Sequence, residues 1–290
     1  MGRVAIVTDT THYLPRDLIA RSDIHEVSLY VHWNDRHDRE ADLPDFDEFY
    51  EFLRTAAVLP TTSQPSVGDF LAVYEPLLAD GRDILSIHLA GGISGTVGSA
   101  EQAAAELGER GLGDRVAVLD SRSACGGMGL IVLAAAAAAG AGASLAEVRE
   151  RAEAACNEAK MWFAIDTLEY LRRGGRIGAA QAWMGSALKI KPILTVDGEI
   201  MPVERVRTSG RALERLVEYL QSRKQDGATR WAVQHIQARE EIGRIVERGR
   251  ELFGSEPEFC SEVGPVIGTH VGPGLLGVSG IRPALMVPPD

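Results

Sequence analysis

The chain has 290 residues, 45% of them hydrophobic, and carries a formal net charge of −11 at pH 7. That length accommodates two domains with sizeable cores, and the acidic balance argues against a general nucleic-acid or anionic-membrane surface, which needs clustered Lys and Arg. No run of about 18 strongly apolar residues occurs and no basic leader precedes the first strand-like run at Val4, so neither a membrane span nor a signal peptide is expected; the expectation is a soluble, cytoplasmic protein.

In chain order, VAIVT (4–8), DILSIHL (83–89) and RVAVLD (115–120) are short, partly β-branched apolar runs, each followed by a loop and a helical pattern. That alternation predicts parallel βαβ units. Residues 35–51 carry eight acids against two arginines, with His32 and His37 nearby. Their spacing matches no zinc or calcium motif, so a solvated loop is expected and no metal site. PSVGDFLAVYEPLL, from Pro65, places Phe70, Val73, Tyr74 and Leu77 at helical spacing behind a Ser66–Asp69 capping box, with Pro76 disturbing the helix. GLIVLAAAAAAGAGA (129–143) is too short and too weakly apolar to span a bilayer and reads as a buried helix. Cys125, Cys156 and Cys260 are widely separated and odd in number, which fits reduced structural thiols.

The texture changes near residue 160. MWFAID, KPILTVDGEIMPVERV, RWAVQHI and ALMV read as strands, with Asp197-Gly198 as a hairpin signal, and TSGRALERLVEYLQSR (208–223) as an amphipathic helix. The expected architecture is α/β: a parallel-sheet α/β/α domain over 1–157, then an α+β domain with a mixed or antiparallel sheet over 158–290.

In an open parallel sheet, ligands bind beyond the carboxyl ends of the strands, where helix N-termini present unpaired N–H groups. TDTTHYLP, HLAGGISGT and DSRSACGG are such loops, and LPTTSQPS (59–66) adds Thr61, Thr62, Ser63 and Gln64 ahead of a helix. Together they form neutral donors suited to a carboxylate or phosphate; any one hydroxyl taken singly is better explained as a helix cap or a turn hydrogen bond, and their recurrence at one edge of the sheet is what favours a pocket. GGISGT (91–96) admits a second reading, a serine esterase or acyl-phosphate hydrolase with Ser94 as nucleophile and His88 or His270 as base; Thr96 breaks the GxSxG pattern. The GxGxxG match at Gly272, Gly274 and Gly277 follows no strand–helix context and lacks the downstream acid, so a Pro-Gly turn is expected and no nucleotide site. Residues 172–196 hold Arg172, Arg173, Arg176, Lys189 and Lys191 and no acid, a basic island suited to phosphate or an acidic partner.

Taken together, IVTDTTHYLP, TTSQPS, LSIHLAGGISGTVGSA, VLDSRSACGGMGL, IDTLEYLRRGGRIG, KPILTVDGEI and GPVIGTHVGPG resemble, in order over nearly the whole chain, the signature of the DegV family of bacterial fatty-acid-binding proteins. The resemblance implies a non-enzymatic carrier that encloses one long-chain fatty acid in an apolar tunnel, needs no cofactor, and presents the carboxylate to a separate ATP-dependent fatty acid kinase that makes an acyl phosphate for phospholipid synthesis. It puts Thr62, Ser94, Gly95 and His270 on the carboxylate, between the two domains, with a Gly268-Thr269 turn delivering the histidine. Arg172, Arg173 and Arg176 fall where the family engages the kinase or the phosphoryl group. TDTT stands where TDST is more usual, and Ala90 and Gly91 stand where serine is common, which touches secondary head-group contacts only.

Overall fold

Val4–Asp9, Asp83–His88 and Val116–Asp120 are parallel neighbours in a four-stranded sheet whose fourth member is Ile24–Val27, in the spatial order Ile24–Val27, Val4–Asp9, Asp83–His88, Val116–Asp120. The computed structural model describes residues 4–184 and 190–287. Lys189 of the basic island lies outside them.

The alternation of side chains along these strands feeds two cores. Ala5, Val7 and Ile84 point to one face and meet Phe70, Tyr74, Ala100 and Ala103 of the helices Val67–Ala79 and Thr96–Glu109. Val4, Ile6, Leu85 and Ile87 point to the other and meet the helices Cys125–Gly140 and Leu145–Glu158. The Ser66–Asp69 capping box is formed, and Pro76 lies within its helix.

The alanine-rich helix Cys125–Gly140 is buried on nearly every side because it packs between two sheets. The second sheet has six strands in the order Glu199–Val206, Lys191–Asp197, Lys160–Ala164, Leu276–Ile281, Arg230–His235 and Cys260–Glu262. All pairs are antiparallel except the last, so the sheet is mixed. Its far face is covered by Ser209–Gln225 and Arg239–Phe253, through Leu213, Leu216, Leu220, Ile242 and Ile245.

Four expectations are corrected. The final strand is LGVSGI, Leu276–Ile281, and not ALMV, where Pro283 starts a short helical turn. The strand is buried along its whole length, and cross-strand burial overrides the low β-preference of its glycines. Gly268-Thr269 is not a turn: Pro265–Val271 is a helix, with Pro265 at its first position and the Thr269 hydroxyl bonded to Pro265 O at 2.8 Å. The chain leaves that helix at Gly272, in the left-handed region at φ 76°.

The other two concern the segments before residue 66. The acidic stretch is no solvated loop. Tyr30–Trp33 and Arg36–Arg39 form a hairpin that Thr61–Ser63 extends into a three-stranded antiparallel sheet, followed by the helix Asp47–Thr55. One of its acids, Glu40, is only 3% exposed. Likewise LPTTSQPS is not all loop, since Thr61–Ser63 is a strand.

Candidate functional site

A cavity of about 290 Å³ opens between the helix Cys125–Gly140 and the near face of the mixed sheet. Its floor is set by strand register. Ser279 lies opposite Met161 on one side and Ala232 on the other, and Gly277 opposite Phe163 and Gln234, so these six residues share one face. Leu29, Leu89, Ile93, Val266, Ile267 and Val271 complete a mostly apolar wall. Small-molecule pockets of about 300–1,000 Å³ commonly combine such walls with a few convergent polar groups.

The polar groups gather at the solvent-facing end. Thr62 and Ser63 come from the three-stranded sheet and Gln64 from the residue that follows it, Ser94 from the loop after Asp83–His88, His270 from the helix Pro265–Val271, and Arg176 from the turn after the helix Glu169–Arg173. The hairpin tip of the mixed sheet docks beside them: Gly198 N–H donates to Arg122 O at 2.8 Å, and Arg122 pairs with Asp197 at 2.6 Å.

His270 Nε2 lies 2.9 Å from Thr62 Oγ1, a contact between residues 208 apart in sequence. Its Nδ1 is buried with no protein partner among the described residues. Burial, reinforced by the Arg176 guanidinium, pushes the imidazole down to about 4, so it is neutral near pH 7. The ring can stand this close to the backbone because position 174 is glycine; a Cβ there would collide with Nδ1. His270 therefore orients the Thr62 hydroxyl, and the positive charge at this end comes from Arg176.

Ser94 Oγ lies 2.9 Å from Thr96 Oγ1 and accepts the Thr96 N–H at 3.3 Å. Gly95 is the N-cap residue of Thr96–Glu109, where the positive end of a 14-residue helix faces outward. Any side chain at Gly95 would strike the Gln64 amide, which reaches across to Ser99 at 3.1 Å.

Among the described residues no histidine is bonded to Ser94. His88 is held between Asp9 and Ser86, and His270 is engaged with Thr62. The basic island is also partly paired with acids. Arg172 and Arg173 both pair with Glu169 at 2.6 Å, Lys191 pairs with Asp166, and only Arg176 among the predicted arginines lines the cavity, bonded to the Gly174 and Ile93 carbonyls at 2.7 and 3.3 Å. Glu169 and Asp166 lie just upstream of the acid-free window.

Sequence reasoning missed Glu40. Its carboxylate accepts Val266 N–H at 2.8 Å, the Tyr13 hydroxyl at 3.0 Å and the Thr10 hydroxyl at 2.7 Å, and so anchors the start of the helix that carries His270. Burial outweighs these bonds and pushes Glu40 up to about 7. It also missed Gln234 and Ser279 in the cavity floor. The one available signal was a polar residue inside each of two strand runs, RWAVQHI and LGVSGI.

Stacked sheets of this kind, enclosing an apolar cavity with a hydroxyl- and imidazole-lined mouth, define a class of α/β ligand-binding architecture. Within it the chain belongs to the DegV family: the family model described as "Uncharacterised protein, DegV family" matches residues 3–282. The chain is 38% identical to Protein DegV of Bacillus subtilis over 280 residues, 95% of this chain and 98% of that one. It is 40% identical to a DegV domain-containing protein of Streptomyces coelicolor over 278 residues, 95% of this chain and 97% of that one. Among solved structures, a DegV family protein from Thermus thermophilus, described with its fatty acid binding, matches with a TM-score of 0.86 at 34% identity, covering 97% of this chain and 99% of that one. DegV from Bacillus subtilis, described as a fatty acid binding protein, matches with a TM-score of 0.86 at 36% identity, covering 97% and 100%. Among the described residues no helix is long and apolar enough to cross a membrane.

Proposed function

We propose that this protein is a non-enzymatic carrier that holds one long-chain fatty acid and presents its carboxylate to a separate ATP-dependent fatty acid kinase. The observation that carries the reading is an apolar cavity whose polar groups converge at its open end. In this reading the carboxylate meets the hydroxyls of Thr62 and Ser94 and the N–H of Gly95, with His270 fixing the Thr62 rotamer and Arg176 supplying charge. Charge-assisted hydrogen bonds contribute about 1.5–3 kcal/mol each, enough to offset taking a carboxylate out of water. Each buried methylene contributes about 0.8 kcal/mol, so a sixteen-carbon tail offers on the order of 10 kcal/mol before ordering costs. The tail supplies affinity and the head group fixes position. Residues 1–157 and 158–290 act as two domains with the ligand between them, and the Arg172–Arg173–Arg176 rim borders the mouth where the kinase approaches.

Native mass spectrometry of the protein as expressed should show a co-purified fatty acid of about fourteen to eighteen carbons, consistent with the burial arithmetic above. A protein that is empty, and that takes up neither palmitate nor oleate, overturns the reading. The Ser94 hydrolase alternative predicts fluorophosphonate labelling that Ser94→Ala abolishes; we expect none, because no base touches that hydroxyl.

A further inference from the structure

The deep end of the cavity is not apolar. Gln234 and Ser279, 2% and 1% exposed, stand on adjacent antiparallel strands and on the same face of the sheet, both lining the cavity. The Gln234 amide nitrogen is committed elsewhere: it donates to His12 O at 3.1 Å and to Ser261 Oγ at 2.9 Å. A backbone carbonyl can only accept, so the amide orientation is fixed and Oε1 is the atom left facing the cavity. Neither Gln234 Oε1 nor Ser279 Oγ has a hydrogen-bond partner among the described residues. Buried polar atoms in native proteins are nearly always paired, so two unpaired ones on one cavity wall call for a ligand group.

The two oxygens are close neighbours. The position a Cβ would take on Gly126 lies 2.8 Å from Ser279 Oγ and 3.4 Å from Gln234 Oε1, so both face the same small stretch of cavity beside Gly126, close enough for one ligand atom on the cavity side to bridge them. An atom there must donate to Oε1, which only accepts, and can accept from the serine, whose hydroxyl does either. A hydroxyl does both. A ketone cannot donate and leaves Oε1 unmet, and a methylene does neither.

We propose that Gln234 and Ser279, on the cavity wall beside Gly126, form a hydroxyl-recognising subsite, so that the preferred ligand is a long-chain fatty acid hydroxylated along its tail. This rests on the carrier reading above and specifies its ligand. A site built to hydrogen-bond a ligand hydroxyl discriminates strongly against the analogue that lacks it, because its own polar groups are then left unpaired. Along the rest of the apolar tunnel a hydroxyl is penalised for the converse reason.

The test is a titration of delipidated full-length protein with octadecanoic acid and with a panel of hydroxyoctadecanoic acids whose hydroxyl moves along the chain. One position, or two adjacent ones, should bind roughly tenfold or more tightly than octadecanoic acid, with the other isomers weaker than it. Ser279→Ala should lower the ratio of matching isomer to octadecanoic acid about tenfold, and Gly126→Ala, whose methyl would press on Ser279 Oγ at 2.8 Å and displace it, should abolish the preference by a different route. Thermal melts of both variants confirm that the ratio is read on folded protein. A uniform penalty for every isomer, or a ratio that Ser279→Ala does not move, overturns the subsite while leaving the carrier reading standing. Failure of every acid to bind overturns both.

Discussion

His88 and His270 are both enclosed imidazoles beside hydroxyl groups, and the contrast between them separates structure from function in this molecule. His88 has zero exposure: Nδ1 lies 3.1 Å from Asp9, Nε2 lies 2.7 Å from Ser86, Ser86 takes the Tyr74 hydroxyl at 2.7 Å, and the Phe70 ring stands edge-on to the imidazole. Burial alone would raise Asp9, but the bonds from His88, Thr11 and the Leu89 N–H outweigh it and hold the carboxyl below its usual range. This is a serine–histidine–aspartate series in hydrolase order, yet every member is sealed in the core and His88 does not line the cavity. His270 has one nitrogen on Thr62 and the other unpartnered, at the cavity mouth. A closed polar network cements the sheet to its helices, whereas the network at His270 is left incomplete at the mouth of the cavity, where the proposed ligand would bind.

The strongest way to break this contrast is to remove His88. His88→Ala removes one bond from the buried Asp9 carboxylate and leaves an imidazole-sized cavity, and the expected loss is about 3–5 kcal/mol of folding stability, read from guanidinium unfolding. Fatty-acid affinity per folded molecule should be unchanged. An affinity lost out of proportion to the unfolded fraction would show that the network serves the ligand after all.

Next in size is the opposing pH behaviour of Glu40 and His270. Glu40 is raised by burial from 4.5 to about 7, so its contribution to stability is complete below about pH 4.5 and is lost as pH rises through 7. Roughly 3 kcal/mol is at stake over that window. His270 is depressed by burial and by Arg176 from 6.5 to about 4, so its contribution is present above pH 6.5 and is lost as pH falls toward 4. Glu40→Gln should flatten the loss on the alkaline side and His270→Gln the loss on the acid side, in denaturation midpoints measured from pH 4 to 8. A wild-type slope that neither variant alters would mean that other groups carry it.

The same two residues show what the sequence made legible. The parallel strands, the capped helix Val67–Ala79 and the amphipathic helix Ser209–Gln225 announce themselves through local periodicity and caps, which need no tertiary knowledge. His270 and Thr62 were singled out by motif order, but their direct contact joins positions that no local pattern relates. Glu40 reads as one more acid in an acidic stretch, because its burial is imposed by the helix Pro265–Val271 arriving from the far end of the chain. Glycines hid both that helix and the strand Leu276–Ile281, since intrinsic preference for turns prevails in a linear reading and burial prevails in the fold. The basic island reads as more strongly charged in sequence than in the fold, because a linear window cuts away Glu169 and Asp166, which pair with Arg172, Arg173 and Lys191.

At the mouth, Thr62→Val keeps the shape of the side chain and removes the hydroxyl that His270 orients. The expected cost is about 1.5–3 kcal/mol of ligand affinity, roughly 10- to 100-fold in Kd, with a smaller effect on folding stability because the residue is only partly buried. A similar loss from His270→Gln, and no further loss in the double variant, would establish that the two act as one unit, since coupled residues are not additive. Independent, additive losses would instead place the imidazole itself on the carboxylate.

The smallest effect belongs to Arg176, whose guanidinium is exposed and already bonded to the Gly174 and Ile93 carbonyls. An exposed charge near a carboxylate contributes little and is screened by salt, so Arg176→Ala should weaken fatty-acid binding only about two- to fivefold at low ionic strength, and less at about 0.15 M. Its removal also withdraws the cation that helps to depress His270, so the imidazole should titrate at a higher pH in the variant, observable by NMR of the ring protons. If the proposed carrier role holds, acyl phosphate formation by an added fatty acid kinase should fall further than binding does, because Arg176 lines the open end of the cavity. Equal losses in binding and in acyl phosphate formation would reduce Arg176 to a binding residue and move the partner surface elsewhere on the molecule.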